Sequence, residues 1–343
     1  RPASADFPQL ITAREIIAAS PNRRCAHTRF NMELLDFRNG IHAFDASYVR
    51  HQLAAIHLIV DDGRAAFVDT GSNASLPNAQ AALVQLGLAP ENVDYVLLTH
   101  IHLDHAGGAG AMMAAFPNAR LVVHPRGARH MIDPTKLMAA TEAVYGRERA
   151  RELYGELLPI PAARVIETTD GMVLTLGRRE LAFYDSPGHA KHHVFIHDRA
   201  TNGIFTGDTF GISYRECDVE GLPFLMPSTT PSQFDPVDLR DSVEHTCSLA
   251  PEAAYPTHYS RLVPPRPLAE VMLRRLDDFV RLTYAARKAQ PDDPLPLLKE
   301  KLTRFVIDEA RAHGVTLTDA EILALWGMDI DLNAQGLLIW AQG

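Results

Sequence analysis

Cysteine is scarce in this sequence, with Cys25, Cys217 and Cys247 spread over 343 residues and none in a CxxC pair. An odd, scattered set of thiols excludes a disulfide framework and fits a reducing, cytoplasmic compartment. No apolar run approaches the roughly 18 to 20 residues of a spanning helix, so no membrane segment is expected. Neither charge sign gathers into a long block. With 33 basic against 42 acidic side chains and a formal charge of -9, a polyanionic partner such as a nucleic acid is disfavoured. The opening RPASADFPQLITAREIIAAS has no charged, apolar and small-residue sections of a secretory signal, and its start at Arg1 leaves room for an upstream segment. Internal repeats and low-complexity tracts are also missing.

What is present is an ordinary globular composition, 46% hydrophobic and 22% charged, long enough for a large core. From about Gly40 to Val68, short β-prone runs alternate with turn signals, and AAFVDTG reads as a strand ending at Asp69. ASLPNAQAALVQLG then has helical spacing, and VDYVLLTH, AGGAGAMMAAFP and ARLVVH read as strand, helix, strand. Alternation of this kind lays helices on a sheet and gathers ligands at strand ends. Residues 134–158 read as an inserted helical piece. A second β-rich half follows, then a long stretch from Ile212 to Pro236 with no clear periodicity. Beyond Pro264 and Pro265 the apolar residues recur at helical intervals, with Thr318 and Glu321 as a capping box.

The stretch YVLLTHIHLDHAGG places His100, His102, Asp104 and His105 directly after a buried strand. Leaving such groups buried and unpaired costs several kcal/mol apiece, on the order of known desolvation penalties. A divalent ion removes that cost, since imidazole and carboxylate are the ligands that zinc, iron or manganese accept, and H-x-H-x-D-H makes a bimetallic half-site. Two ions need further donors. DSPGHAKHH offers His189, FTGDTFG offers Asp208 and YPTHYS offers His258, each at the end of an apolar segment. Most of the 16 histidines need no such role, and His124, His130, His197, His245 and His313 read as satisfied core or surface residues.

VDTG, THIHLDHAGG, PGHAKHH, FTGDT and PTHYS together resemble the metallo-β-lactamase-fold superfamily, especially its glyoxalase II-like branch with a helical C-terminal region, over residues 40–262. The resemblance implies an α/β architecture, an αββα sandwich spanning residues 1–262 with 1–39 as an extension, followed by a helical appendage over 263–343. It implies two divalent ions, zinc first, with iron or manganese as alternatives. One would be held by His100, His102 and His189, and the other by Asp104, His105 and His258, with Asp208 bridging. Asp69 would orient a ligand histidine, or else is only a turn residue before Gly71.

Such a pair of ions lowers the pKa of a shared water, so hydrolysis is the default chemistry, a bridging hydroxide attacking the carbonyl of a small ester, lactone or thioester. Asp104 or Asp208 would relay the proton to the leaving group. Tyr214 is a candidate catalytic hydrogen-bond donor to the substrate oxygen, Tyr259 a second, and either would otherwise simply pack. His193 matches a position often histidine in the glyoxalase II pattern, and is a candidate substrate contact. His192 stands where that pattern prefers glycine, and HYSRL replaces its HEYT continuation, both arguing against a strict S-lactoylglutathione hydrolase. The competing readings are a mononuclear iron enzyme of the persulfide dioxygenase type and a non-catalytic sensor or binding protein. The apolar LLIWA end, Leu337 to Ala341, needs burial, so a homodimer or a docked terminus is expected.

Overall fold

A computed structural model of the chain describes residues 32–259 and 261–342. Cys25 and most of the expected N-terminal extension lie outside the described residues. The alternating runs become β1 (Leu34–Asp36), β2 (Ile41–Asp45), β3 (Ala55–Asp61) and β4 (Arg64–Val68), an antiparallel meander. The β3–β4 hairpin turns on Asp62 and Gly63, whose φ angles of 50° and 72° are those a two-residue Asp-Gly turn requires. Helix α1 (Leu76–Gln85) crosses to β5 (Val93–Leu97), and α2 (Leu103–Ala106) with α3 (Ala109–Ala115) crosses to β6 (Arg120–Val123). Helix α4 (Pro125–Ile132) follows β6, and the expected helical insertion over 134–158 is α5 (Thr135–Tyr145) and α6 (Arg147–Tyr154), leading to β7 (Val165–Glu167). From β4 onward the pairing is parallel, giving a 7-stranded sheet in chain order.

The second sheet has five strands, in the spatial order β14 (Ala253–Pro256), β11 (Gly203–Gly207), β10 (Val194–Asp198), β9 (Arg179–Asp185) and β8 (Val173–Leu176). After β11 the long aperiodic stretch carries a small ribbon, β12 (Ile212–Ser213) paired with β13 (Leu225–Met226), and a short 3-10 turn at Arg215–Cys217. Helix α7 (Pro236–Ser248) then returns the chain to β14 (Ala253–Pro256), parallel to β11.

Period-2 alternation decides which side chains go where. Ala66 and Val68 of β4 and Ile59 of β3 face Phe183, Ile196 and Phe205 of the second sheet, forming the core between the sheets. Their neighbours Ala65, Phe67 and Leu58 face the helices instead, where Phe67 stacks on Phe116 with centroids 5.2 Å apart. On the far side, His245 of α7 packs edge-on against Tyr184 and Phe195. Helices therefore cover both outer faces, which is the αββα sandwich.

Helices α8 (Pro265–Ala289), α9 (Leu295–His313) and α10 (Asp319–Gln342) complete the chain. The capping box forms as expected, Thr318 N–H donating to Glu321 and Glu321 N–H to the Thr318 hydroxyl. Among the described residues, α10 is long and apolar enough to cross a membrane by length and composition, its best window having a mean hydropathy of 1.2. This corrects the expectation that no stretch reaches spanning character. Half of that window is buried inside the protein, and Trp326, Asp329, Asn333 and Leu337 pack on the chain itself. The burial required by Leu337 and Leu338 is supplied internally.

Candidate metal centre

The parallel strands β4, β5, β11 and β14 end by delivering polar groups to the same rim, as expected where strand carboxyl ends meet in an α/β sheet. Asp69 follows β4, His100 and His102 follow β5, and Asp104 and His105 ride on the short helix α2. Asp208 follows β11, His258 follows β14, and His189 lies in the turn between β9 and β10. The structure brings these groups together in three overlapping sets, His100/His102/His189, His100/His105/Asp208 and Asp104/His105/His258, each with ligand atoms within 4.8 Å of one another.

In the first set, His102 Nδ1 lies 2.9 Å from both His100 Nε2 and His189 Nε2. The far side of each ring decides which nitrogen keeps its lone pair. The Thr99 hydroxyl donates to Asp69, so its oxygen is left to accept from His100 Nδ1 at 3.1 Å. His189 Nδ1 faces the Ser228 carbonyl at 3.4 Å. Burial, reinforced by the neighbouring imidazoles, pushes His100 well down, and burial with His189 pushes His102 down to about 3. Burial also lowers His189. These are neutral rings with lone pairs converging on one point.

The Asp104/His105/His258 set has the opposite electrostatics. Burial opposes charge on His105, yet Asp208, Asp104 and Asp69 raise it well above the usual histidine value. His258 is likewise raised against burial by Asp208 and Asp104. Burial opposes ionisation of Asp104 and Asp208 too, but the charges of His105 and His258 bring both carboxyls down. Asp69, Asp104 and Asp208 thus call for positive charge around His105 and His258.

Asp208 joins the two sets. Its Oδ1 lies 3.3 Å from His105 Nε2 and 3.8 Å from His258 Nε2, while its Oδ2 lies 3.7 Å from His189 Nε2. Although buried, His105 Nε2 and Asp208 Oδ1 make no hydrogen bond among the described residues. Orphaned buried donors are rare and costly. Divalent ions fit this donor set, with neutral imidazoles on one side, imidazoles and carboxylates on the other and one carboxylate between them.

Beneath the rim, Asp69 is fully buried and holds a left-handed φ of 59°. Its carboxylate accepts from His105 Nδ1 at 2.8 Å, from the Thr99 amide at 2.9 Å and from the Thr257 hydroxyl at 2.8 Å. It orients His105 directly and His100 through Thr99, so the turn-residue reading describes its backbone but not its work. Thr99 and Thr257 were not singled out in the sequence. A signal existed, since the Thr-His pair occurs at both 99–100 and 257–258. His258 is fixed from outside, its Nδ1 donating to the Leu53 carbonyl at 2.7 Å.

The expected substrate contacts fare differently. Only 1% of His193 is exposed, and both ring nitrogens are used, Nδ1 on the Ser186 hydroxyl at 2.7 Å and Nε2 accepting the Asp208 amide at 3.2 Å. It positions Asp208 and has no atom to offer a substrate. Tyr259 is enclosed against Ala43 and Ala55, and burial raises its hydroxyl pKa. Tyr214 is 1% exposed, with its hydroxyl donating to Asp329 at 2.8 Å and Arg50 stacked over its ring at 4.3 Å. Its proton is already committed, so donation to a substrate oxygen is not supported. Asp329, on α10, was missed entirely. Burial pushes its carboxyl up to about 6.

His192 is buried with its ring 5.6 Å from that of His102 and 6.2 Å from that of His100. It occupies space directly beside the first set. The histidines read as ordinary are so: His124 accepts from Arg126 N–H at the start of α4, His130 accepts from Arg129, His197 pairs with Asn202, and His313 reaches the Leu222 carbonyl.

Comparison with known proteins bears on this geometry. The family described as the metallo-beta-lactamase superfamily matches residues 53–258. The metallo-beta-lactamase fold-containing protein ST1585 of Sulfurisphaera tokodaii is 23% identical over 242 residues, covering 69% of this chain and 84% of its own. A hydroxyacylglutathione hydrolase of Xanthomonas campestris is 27% identical over 310 residues, covering 85% of this chain and 93% of its own. Among solved structures, the metallo-beta-lactamase family protein TTHA1429 of Thermus thermophilus superposes with a TM-score of 0.62 at 19% identity, covering 90% and 94% of the two chains. That last likeness establishes the fold.

Proposed function

We propose, since the chain belongs to the metallo-beta-lactamase superfamily, that it is a dinuclear metal-dependent hydrolase of small carbonyl substrates, an ester, lactone or thioester. The observation that carries this reading is Asp208, which turns one oxygen toward His105 and His258 and the other toward His189. A single-ion site has no use for that division. When bound, two divalent ions would supply a water with its pKa brought toward neutrality and an electrophile for a carbonyl oxygen.

The residues' own parts follow from their surroundings. His100, His102 and His189 would hold one ion, and Asp104, His105 and His258 the other. Asp104 keeps 26% of its side chain exposed, whereas His105 is fully enclosed. It is therefore the carboxylate placed to take a proton from water and return it to a leaving group. The name of the Xanthomonas relative denotes an acyl substrate, which supports a carbonyl target. The ring of His192 beside His102 narrows the approach and favours a small acyl compound over a glutathione thioester. Cys217 and Cys247 are free buried thiols, in keeping with a reducing compartment.

The test is metal content per chain by elemental mass spectrometry on protein purified without added metal, followed by hydrolysis of a panel of lactones, esters and thioesters. About two equivalents of zinc, manganese or iron with turnover of one class supports the proposal. One equivalent of iron, with oxygen consumption and no hydrolysis, replaces it with the dioxygenase reading. Turnover that survives His100→Ala would remove the site from the reaction altogether.

A further inference from the structure

One face of α10 is given over to the loop that follows Asp208. Trp326 packs on Tyr214 with centroids 4.5 Å apart, and Asp329 accepts the Tyr214 hydroxyl. One turn on, Asn333 is 4% exposed and grips two residues of this loop, Pro227 and Thr229. Its Oδ1 accepts the Thr229 amide at 2.6 Å and the Thr229 hydroxyl at 3.0 Å, and its Nδ2 donates to the Pro227 carbonyl at 3.2 Å. Gly336 allows the approach, because a Cβ there would stand 1.8 Å from the Thr229 oxygen.

Between the two residues that Asn333 grips lies Ser228, whose carbonyl is the partner of His189 Nδ1. At 3.4 Å that hydrogen bond is long, near the limit at which such contacts hold. A loop shift of a few tenths of an ångström would break it. His105 and His258, in contrast, are oriented by Asp69 and the Leu53 carbonyl, neither of which is among the hydrogen-bond partners of Asn333.

We infer that Asn333 is a positioning residue for one metal group only: through Pro227 and Thr229 it holds the Ser228 carbonyl that orients His189, so Asn333 sets the affinity of the His100/His102/His189 group and not of the other. This rests on the two-ion reading above. The helical region is on this account a part of the metal centre.

The experiment is a stepwise zinc titration of metal-free full-length protein against a chromophoric chelator, giving two binding constants, for wild type, Asn333→Ala, Asn333→Asp, His102→Ala and the His102→Ala/Asn333→Ala double variant. Asn333→Ala should weaken one constant by about tenfold, within the range seen when the partner of a ligand histidine is lost. Asn333→Asp, which keeps the acceptor for Thr229, should recover most of it. In the His102→Ala background the remaining constant should not respond to Asn333→Ala. Melting of the metal-free variants separates this from unfolding. Should Asn333→Ala not fold, Thr229→Val removes the hydroxyl bond alone and should weaken the same constant by a smaller factor. Equal loss at both groups, or no loss in a folded variant while wild type binds two ions, overturns the inference and leaves the two-ion reading standing. A wild type that binds neither zinc nor manganese nor iron overturns both.

Discussion

Oδ2 of Asp69 lies 2.8 Å from Nδ1 of His105, 36 positions further along the chain, and the same carboxylate reaches Thr99 and Thr257. Every strand end that carries a candidate ligand histidine in the parallel part of the fold is tied to this one side chain. Asp69→Asn keeps the shape, and asparagine tolerates a left-handed backbone, so the variant should fold. It loses the charge-assisted bond to His105, and zinc affinity should fall by about 10- to 100-fold, read by chelator competition. Unchanged affinity at both groups would show that Asp69 serves the backbone alone.

Asp104→Asn should separate binding from turnover. His100, His102 and His189 do not depend on Asp104, so at least one equivalent of metal should remain by elemental analysis. The rate should drop by about 100-fold or more, the usual contribution of a positioned proton carrier. A variant with full metal and undiminished kcat would assign the proton to another group.

Metal affinity should rise with pH through and above neutrality. His105 and His258 are held above the ordinary 6.5 by Asp208 and Asp104 against the effect of burial. Their protons stabilise the metal-free fold fully below 6.5, and that contribution is lost as pH rises through the higher folded values. An ion at the second group must displace those protons. Calorimetric titration with zinc in buffers of different ionisation enthalpy should therefore show proton release at pH 7. A heat independent of buffer would mean that both rings are already neutral.

Burial moves the Asp329 carboxyl from 3.8 to about 6, so its charged form is disfavoured in the native state. For an acid raised on folding, the cost is absent below 3.8 and grows as pH climbs to about 6. In metal-free protein, Asp329→Asn should match wild type near pH 4 and become more stable by up to roughly 3 kcal/mol above pH 6, since each pKa unit is worth 1.36 kcal/mol. Urea unfolding across that range measures it. A variant less stable than wild type at pH 7 would show that the Tyr214 bond outweighs the buried charge.

The donor set was legible because spacing announces it: H-x-H-x-D-H after an apolar strand is a local pattern, and His189, Asp208 and His258 each close a segment of the same kind. The capping box at Thr318 and the turn at Asp62–Gly63 are equally local. What surrounds the donors was not legible. Tyr214 finds Asp329 at a separation of 115 residues, and Thr229 finds Asn333 at 104, so no window of sequence contains either pair. His193 and Tyr259 were misplaced for the opposite reason. Both lie beside motif residues, and adjacency in sequence says nothing about which side of a strand end faces solvent.

The contacts of α10 have a consequence for how the protein is made. Residues 329, 333 and 336 belong to the last described element, and they brace a loop whose neighbours were all synthesised earlier. While the chain is still emerging from the ribosome, the sandwich can form with His189 lacking its fixed orientation. Loading of an ion that His189 would help to hold would then await the synthesis and docking of α10, which makes late metal uptake a property of the order in which the residues are joined.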